Sequence, residues 1–376
     1  MFDFDKVYCR NDVPNEKWGI CRDDEIAMWV ADMDLATPQV ILDALRERLE
    51  HPVFGYDPSP RQALKVVAEH YRRSYGCEVK DEWLVLCPSV MPGVNVGCLA
   101  AGGNIMYCTP MYSHIRVVAK ELGCRAVEVP LALENGRYAF DFDAMERAYD
   151  PSIGSFILCN PHNPVGRMFS QEELDQLLTF CKSHHMTLVS DEIHCEFDLD
   201  RKHIPCFTLP GAEKDTVTVS SAGKICNIPG IPIGFAIVPD DALRERFKEK
   251  IQGLFNGGGT FNAIALTKAY DGSCAQWKEE LRAYLRGNRD YMEQRIAAMP
   301  GISVNHNEGT YLAWIDCHEL GLDNPSQFFR EKAHVVYNDG EYFGDRQFVR
   351  LNYGCTRAQL KEALDRTEQA LLNLVK

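Results

Sequence analysis

"VTVSSAGKICNIPG", residues 217–230, decides the fold. A β-branched run stops, three small residues (Ser221, Ala222, Gly223) follow, and Lys224 is the only charged residue of the stretch. The pattern reads as a buried strand ending in a loop with space around a lysine. A phosphate-binding P-loop fails at two positions, because Thr218 stands where glycine is needed and Ile225 where serine or threonine is needed. A lysine stripped of water has a lowered pKa and becomes nucleophilic, as a Schiff base requires. The competing reading is a lysine that snorkels to solvent.

Further apolar runs lie on either side: 83–87, 105–108, 126–129, 156–159, 187–190, 216–220 and 235–238. They look buried on both faces, as in a largely parallel sheet covered by helices. Helix starts fall between them. Thr37-Pro38 and Ser59-Pro60 read as N-caps followed by proline, and Ser170/Glu173 and Thr356/Gln359 as capping boxes. Residues 240–298 read as mostly helical, followed by short strands at 302–304, 311–315 and 348–352. The expected fold class is α/β. A large domain over residues 48–274 has a mostly parallel sheet flanked by helices. A smaller α+β domain, residues 1–47 and 275–376, closes over the active site.

Ligands in such sheets bind beyond the carboxyl ends of the strands. The loops there supply Ser89, Val90 and Met91 at a helix start, where free N–H groups attract phosphate. They also supply Tyr112 to stack on a ring, Asn163 in a proline-stiffened "NPHNPVG", Asp191 and Lys224. Arg350, in "FVRLN", suits a carboxylate. Each has a plain alternative: a core tyrosine, a turn asparagine, a helix-capping aspartate, an ion-paired arginine. His162, His184, His185 and His194 share no helical metal spacing, so no metal is expected.

The chain has 376 residues, a net charge of −14 and fifteen cysteines without CxxC pairs. An acidic chain disfavours nucleic acid and anionic membrane as partners. Unpaired cysteines, several of them in apolar runs, fit a reducing cytoplasm. The start shows no signal-peptide pattern, and the longest apolar stretch, 83–101, is broken by Pro88, Pro92 and Gly93.

"NPHNPVG", "SDEIH", the small-residue loop with its lysine and "FVRLN" together resemble the fold-type I pyridoxal-phosphate enzymes of the class I/II aminotransferase superfamily. "WVADMDLATP", "HPVFGYDPSP", "TPMYSHI", "TYLAWID" and "FVRLNYGC" are similar to the MalY/PatB group of C–S β-lyases, of the cystathionine β-lyase type. The resemblance implies pyridoxal 5'-phosphate as cofactor and α,β-elimination on S-substituted amino acids, with transamination as the alternative and a regulatory binding protein as a further one. It implies Lys224 as Schiff-base anchor and base, Asp191 on the pyridinium nitrogen, Asn163 on the phenolic oxygen and near the substrate, and Tyr112 stacked on the ring. His194 would stand where aminotransferases keep a tyrosine. Val90, Met91 and Ser221 would hold the phosphate, and Arg350 the substrate carboxylate. Tyr56 would reach the neighbouring site of a homodimer. Gly223, Ile225, Cys226 and Pro232 depart from the family pattern, which puts cofactor affinity in question, and "NDGEYFG" (338–344) departs near the substrate pocket.

Overall fold

The computed structural model describes residues 2–255 and 257–374. All seven apolar runs join one sheet, ordered 84–87, 234–237, 216–220, 187–191, 153–159, 104–109, 126–130. Gly234–Ile237 runs antiparallel to Leu84–Cys87 and Thr216–Ser220, and the other pairings of this sheet are parallel. Strands 216–220 and 84–87 are buried throughout, as both-face coverage requires. Ala126–Pro130 departs from that expectation. It is an edge strand whose residues alternate, with Glu128 exposed, because only one face meets the core.

Register sets up the site. Cys159 pairs with Asp191, and Asp191 with Val219, so three loops leave the sheet side by side. The helix Val90–Ala101 lies close against the sheet because Gly93 has no side chain. A Cβ there would stand 2.6 Å from Val219 Cγ1.

Helices Asp241–Ile251, Thr260–Tyr270 and Ala275–Ile296 match the expected helical region. The second sheet is antiparallel, ordered 303–304, 312–316, 348–352, 338–339. Ser170/Glu173 forms a full capping box. Thr356 accepts from Gln359 N–H, but the Gln359 amide donates to Asp34 instead of closing the box. The other two caps are corrected. Thr37 gives its hydroxyl to Asn227 O, leaving Pro38 as an uncapped N-cap. Ser59 is already helical, and Asp57 accepts from its N–H.

Residues 28–35 have little regular structure and form a strap between the two sheets. Asn352 Nδ2 donates to Val30 O and Asp32 O. From the other side, Asn227 Nδ2 donates to Met33 O and Leu35 O. Asp34 anchors the strap, accepting from Lys17 (2.7 Å), Trp18 Nε1 (2.9 Å), Arg10 (3.0 Å) and Gln359 (2.9 Å). Burial pushes the Asp34 carboxyl up, but the Lys17 charge and these hydrogen bonds outweigh it, and the net shift is down. Asp34 therefore stabilises the fold above its unfolded pKa, and that contribution is lost as pH falls through the lower folded value.

Lys17 is itself fully buried. Replacing Asp34 with alanine leaves this buried ammonium only one carboxylate, the more distant Asp32 at 3.9 Å, so Asp34→Ala is expected to cost about 3 kcal/mol. Urea unfolding at neutral pH measures this, and a loss under about 1 kcal/mol contradicts the anchoring role.

Candidate active site

Five loops converge on one cavity of about 210 Å³ beyond the carboxyl ends of the central strands. Ser89, Val90 and Met91 reach it from the start of helix Val90–Ala101, and Tyr112 from the loop after Asn104–Thr109. Asn163, Asp191 and His194 line its middle, with Ser221, Gly223 and Lys224 opposite the strap residue Ala31. Ser89 makes no side-chain cap bond, so the start of this twelve-residue helix offers free N–H groups to the cavity wall.

Lys224 does not snorkel. Its Nζ donates to Ala31 O at 2.6 Å. Burial lowers its pKa first and the Arg350 charge adds to that, while Asp32 and Asp191 pull it back, leaving it at about 8. Asp191 is not a mere cap either. It is 2% exposed, accepts from Ile193 N–H at 3.0 Å, and is pushed up to about 7, chiefly by burial.

Arg350 is 2% exposed. Its Nη1 donates to Asn163 Oδ1 (3.1 Å) and its Nη2 to Trp29 O (2.8 Å). Its Nε has no partner among the described residues, and the guanidinium lies 4.7 Å over the Phe343 ring. The ion-pair alternative fails: among the described residues, neither Arg350 nor Lys224 has a carboxylate oxygen within 4.0 Å.

His194 is buried, its Nδ1 has no partner among the described residues, and burial with the Lys224 and Arg350 charges pushes its pKa well down, so the ring is neutral. Tyr112 is half-buried beside the cavity. The Ser221 hydroxyl is committed, donating to Ile233 O (2.6 Å) and accepting from Gly223 N–H (3.0 Å). Tyr56 lies elsewhere, fully exposed in a groove with Phe54 and Arg61.

The departures divide. Ile225 and Cys226 point into the main core, 1% and 0% exposed. Pro232 is on the cavity wall with Ile228, Pro229, Ile231 and Ile233. The set has the capacity to hold a phosphorylated aromatic aldehyde. It offers a neutralisable amine for the carbonyl, a buried acid for a protonated ring nitrogen, and a helix start for the phosphate. No group of His, Cys, Asp or Glu that could hold a metal ion occurs among the described residues. No helix among them is long and apolar enough to cross a membrane.

Sequence reasoning missed Ala31, Trp29 and Tyr311. The first two act through backbone carbonyls, which no side-chain pattern reveals. Tyr311 reads as core in "TYLAWID", yet its hydroxyl donates to Ala31 O at 2.7 Å.

Residues 24–366 match the sequence profile of the family described as aminotransferase class I and II. The chain is 33% identical over 373 residues to cystathionine beta-lyase PatB of Bacillus subtilis (strain 168), covering 96% of this chain and 95% of that protein. The crystal structure of OvoB superposes with a TM-score of 0.94 at 33% identity, covering 98% of this chain and 99% of that one. A pyridoxal-phosphate-bound C–S lyase from Staphylococcus hominis superposes with a TM-score of 0.90 at 28% identity, covering 99% of each.

The site's electrostatics make a direct prediction. In the cofactor-free chain, acetic anhydride labelling of Lys224, followed by mass spectrometry, should rise with pH as the amine loses its proton, with a midpoint near 8. A midpoint at the ordinary lysine value of about 10.4 contradicts the burial argument.

Proposed function

The chain belongs to the class I and II aminotransferase family, and on that footing we propose that it is a pyridoxal-phosphate-dependent C–S β-lyase. It would act on cystathionine- or cysteine-type S-substituted amino acids and release a thiol, pyruvate and ammonia. One observation carries the reading: two cations, the half-buried Lys224 and the buried Arg350, share a site with a buried acid and have no carboxylate oxygen within 4.0 Å among the described residues. Such cations are costly without a ligand to complete them. An amino-acid substrate supplies the missing carboxylate, and a cofactor aldehyde takes the amine. The name cystathionine beta-lyase, borne by a relative matched over nearly its whole length, favours elimination over transamination.

Pyridoxal phosphate, when bound, supplies an aldehyde that condenses with an amine and a ring that takes up the charge left when Cα loses its proton. Lys224, Asp191, Asn163, His194, Tyr112, Val90, Met91 and Ser221 would hold it. For Ser221 the backbone is the better candidate, because the hydroxyl is already committed.

The protein's own work is positional. Arg350 turns its free donors, Nε included, toward the substrate carboxylate and so fixes which Cα bond faces Lys224. The Lys224 amine, part neutral near neutral pH, takes the Cα proton and can return it to the departing sulfur. Asp191, once faced by a positive ring nitrogen, holds its negative charge in a site shielded from water. Asn163 braces Arg350 through its amide oxygen and keeps the substrate and cofactor sides in register.

Residues 48–274 would form the large domain, and 1–47 with 275–376 the small one that closes over the cavity. Exposed Val53, Phe54 and Tyr56 form an apolar surface suited to a second copy, with Tyr56 reaching that copy's phosphate. All fifteen cysteines are free, and a reducing cytoplasm keeps such thiols unpaired.

The deciding experiment supplies cystathionine without any keto acid. Catalytic pyruvate supports the lyase, whereas turnover that depends on an added keto acid identifies an aminotransferase. Lys224→Ala should abolish turnover, and Asp191→Asn should lower kcat about 10²–10³-fold. Arg350→Ala should weaken substrate binding about 30-fold or more. An Arg350→Ala enzyme with unchanged KM sinks the carboxylate assignment.

A further inference from the structure

One carbonyl in the site accepts twice. Ala31 O takes a hydrogen bond from Lys224 Nζ at 2.6 Å and from Tyr311 Oη at 2.7 Å. Two donors on one acceptor weaken each other, because each draws on the same electron density. Neither donor has slack. Tyr311 is 0% exposed, with its ring 5.0 Å from Phe197 and 5.9 Å from His194. The strap that carries Ala31 is pinned on both sides of it, by Arg350 on Trp29 O and by Asn352 on Val30 O and Asp32 O. The carbonyl therefore stays where both donors meet it.

We infer that Ala31 O is the resting acceptor of the Lys224 amine whenever that amine is not covalently engaged, and that Tyr311 is a positioning residue which sets how firmly this carbonyl holds the ammonium. This rests on Lys224 being the reactive amine. A carbonyl stabilises the charged amine more than the neutral one, since only the charged form donates strongly. Sharing the carbonyl with Tyr311 relaxes that grip and leaves more of the amine neutral and ready to take a proton. The Tyr311 hydroxyl thus acts on reactivity without touching the substrate.

The other groups that bear on the Lys224 charge are Arg350, which disfavours it, and Asp32 and Asp191, which favour it. His194 also lies within range of that charge, buried and neutral. Arg350 and Asp32 also lie within range of Tyr311, but burial pushes the Tyr311 pKa up and its hydroxyl is neutral, so Tyr311→Phe removes no charge from their surroundings and a change in Lys224 titration reports on the shared carbonyl.

The test is the pH dependence of acetic anhydride labelling at Lys224 in the cofactor-free full-length chain, wild type against Tyr311→Phe. The phenylalanine variant should shift the midpoint upward and reduce labelling at pH 7 about threefold. An unchanged or lowered midpoint overturns the inference, even if the variant is less stable, because a purely structural hydroxyl would move stability alone.

A second arm weakens the acceptor itself. The peptide bond between residues 31 and 32 is replaced by an ester, using the α-hydroxy analogue of aspartate at position 32. The Asp32 N–H makes no backbone hydrogen bond among the described residues, so little else is removed. The midpoint should move down and labelling at pH 7 should rise; no change, or an upward shift, overturns the inference. This arm decides alone if Tyr311→Phe does not fold.

Adding pyridoxal phosphate and then borohydride to wild type separates the two claims. Failure to trap the cofactor on Lys224 removes the proposed function. Trapping with no Tyr311 effect removes only the shared-carbonyl role.

Discussion

Two cations of this site have no carboxylate oxygen within 4.0 Å among the described residues, and backbone carbonyls hold them in place. Lys224 points at Ala31 O and Arg350 at Trp29 O, two residues apart on one strap. A carboxylate partner would have given a tighter, charge-neutral structure, but it would also have satisfied the groups that a substrate must find unsatisfied. A carbonyl is the compromise. It gives each cation one acceptor, and it yields to a ligand that offers a full negative charge or a covalent bond. The rest of the fold keeps that strap in place. Asp34 gathers four donors behind it, Asn352 grips it from the small sheet, and Asn227 grips it from the lysine loop.

Much of this is written in side-chain patterns. The seven apolar runs mark the seven strands of the main sheet, because strands buried on both faces need continuous apolar residues; the edge strand 126–130 alone alternates. Lys224, Asp191 and Asn163 stand at strand ends, so one rule about where ligands bind α/β sheets collects them. Arg350 stands out as a charge in an apolar strand. Its true environment is not legible, however, since an ion-paired arginine would read the same. The carbonyls of Trp29 and Ala31 leave no signature at all: any residue presents that oxygen, and only the path of the strap decides which ones face the site. Thr37 misleads for a related reason. A threonine before a proline reads as a cap, but Asn227 O takes its hydroxyl from a position 190 residues away.

The departures around the lysine are of two physical kinds. Ile225 and Cys226, which depart from the pattern of the resembled family, are buried in the main core. They cost the cavity no side chain, since neither faces it, and what they add is packing beneath the loop. Pro232 is different. It sits on the wall among Ile228, Ile231 and Ile233, and it can donate nothing. On the proposed reading the charge of a bound phosphate would be met by the helix start at Val90–Met91, by backbone N–H groups and by Tyr56 of a second copy. A helix start offers partial charge and direction, not a mobile full charge. Such a site selects a phosphate by position and leaves Lys224 and Arg350 as the cations of the pocket, which is why the strap that holds both decides what the pocket can do.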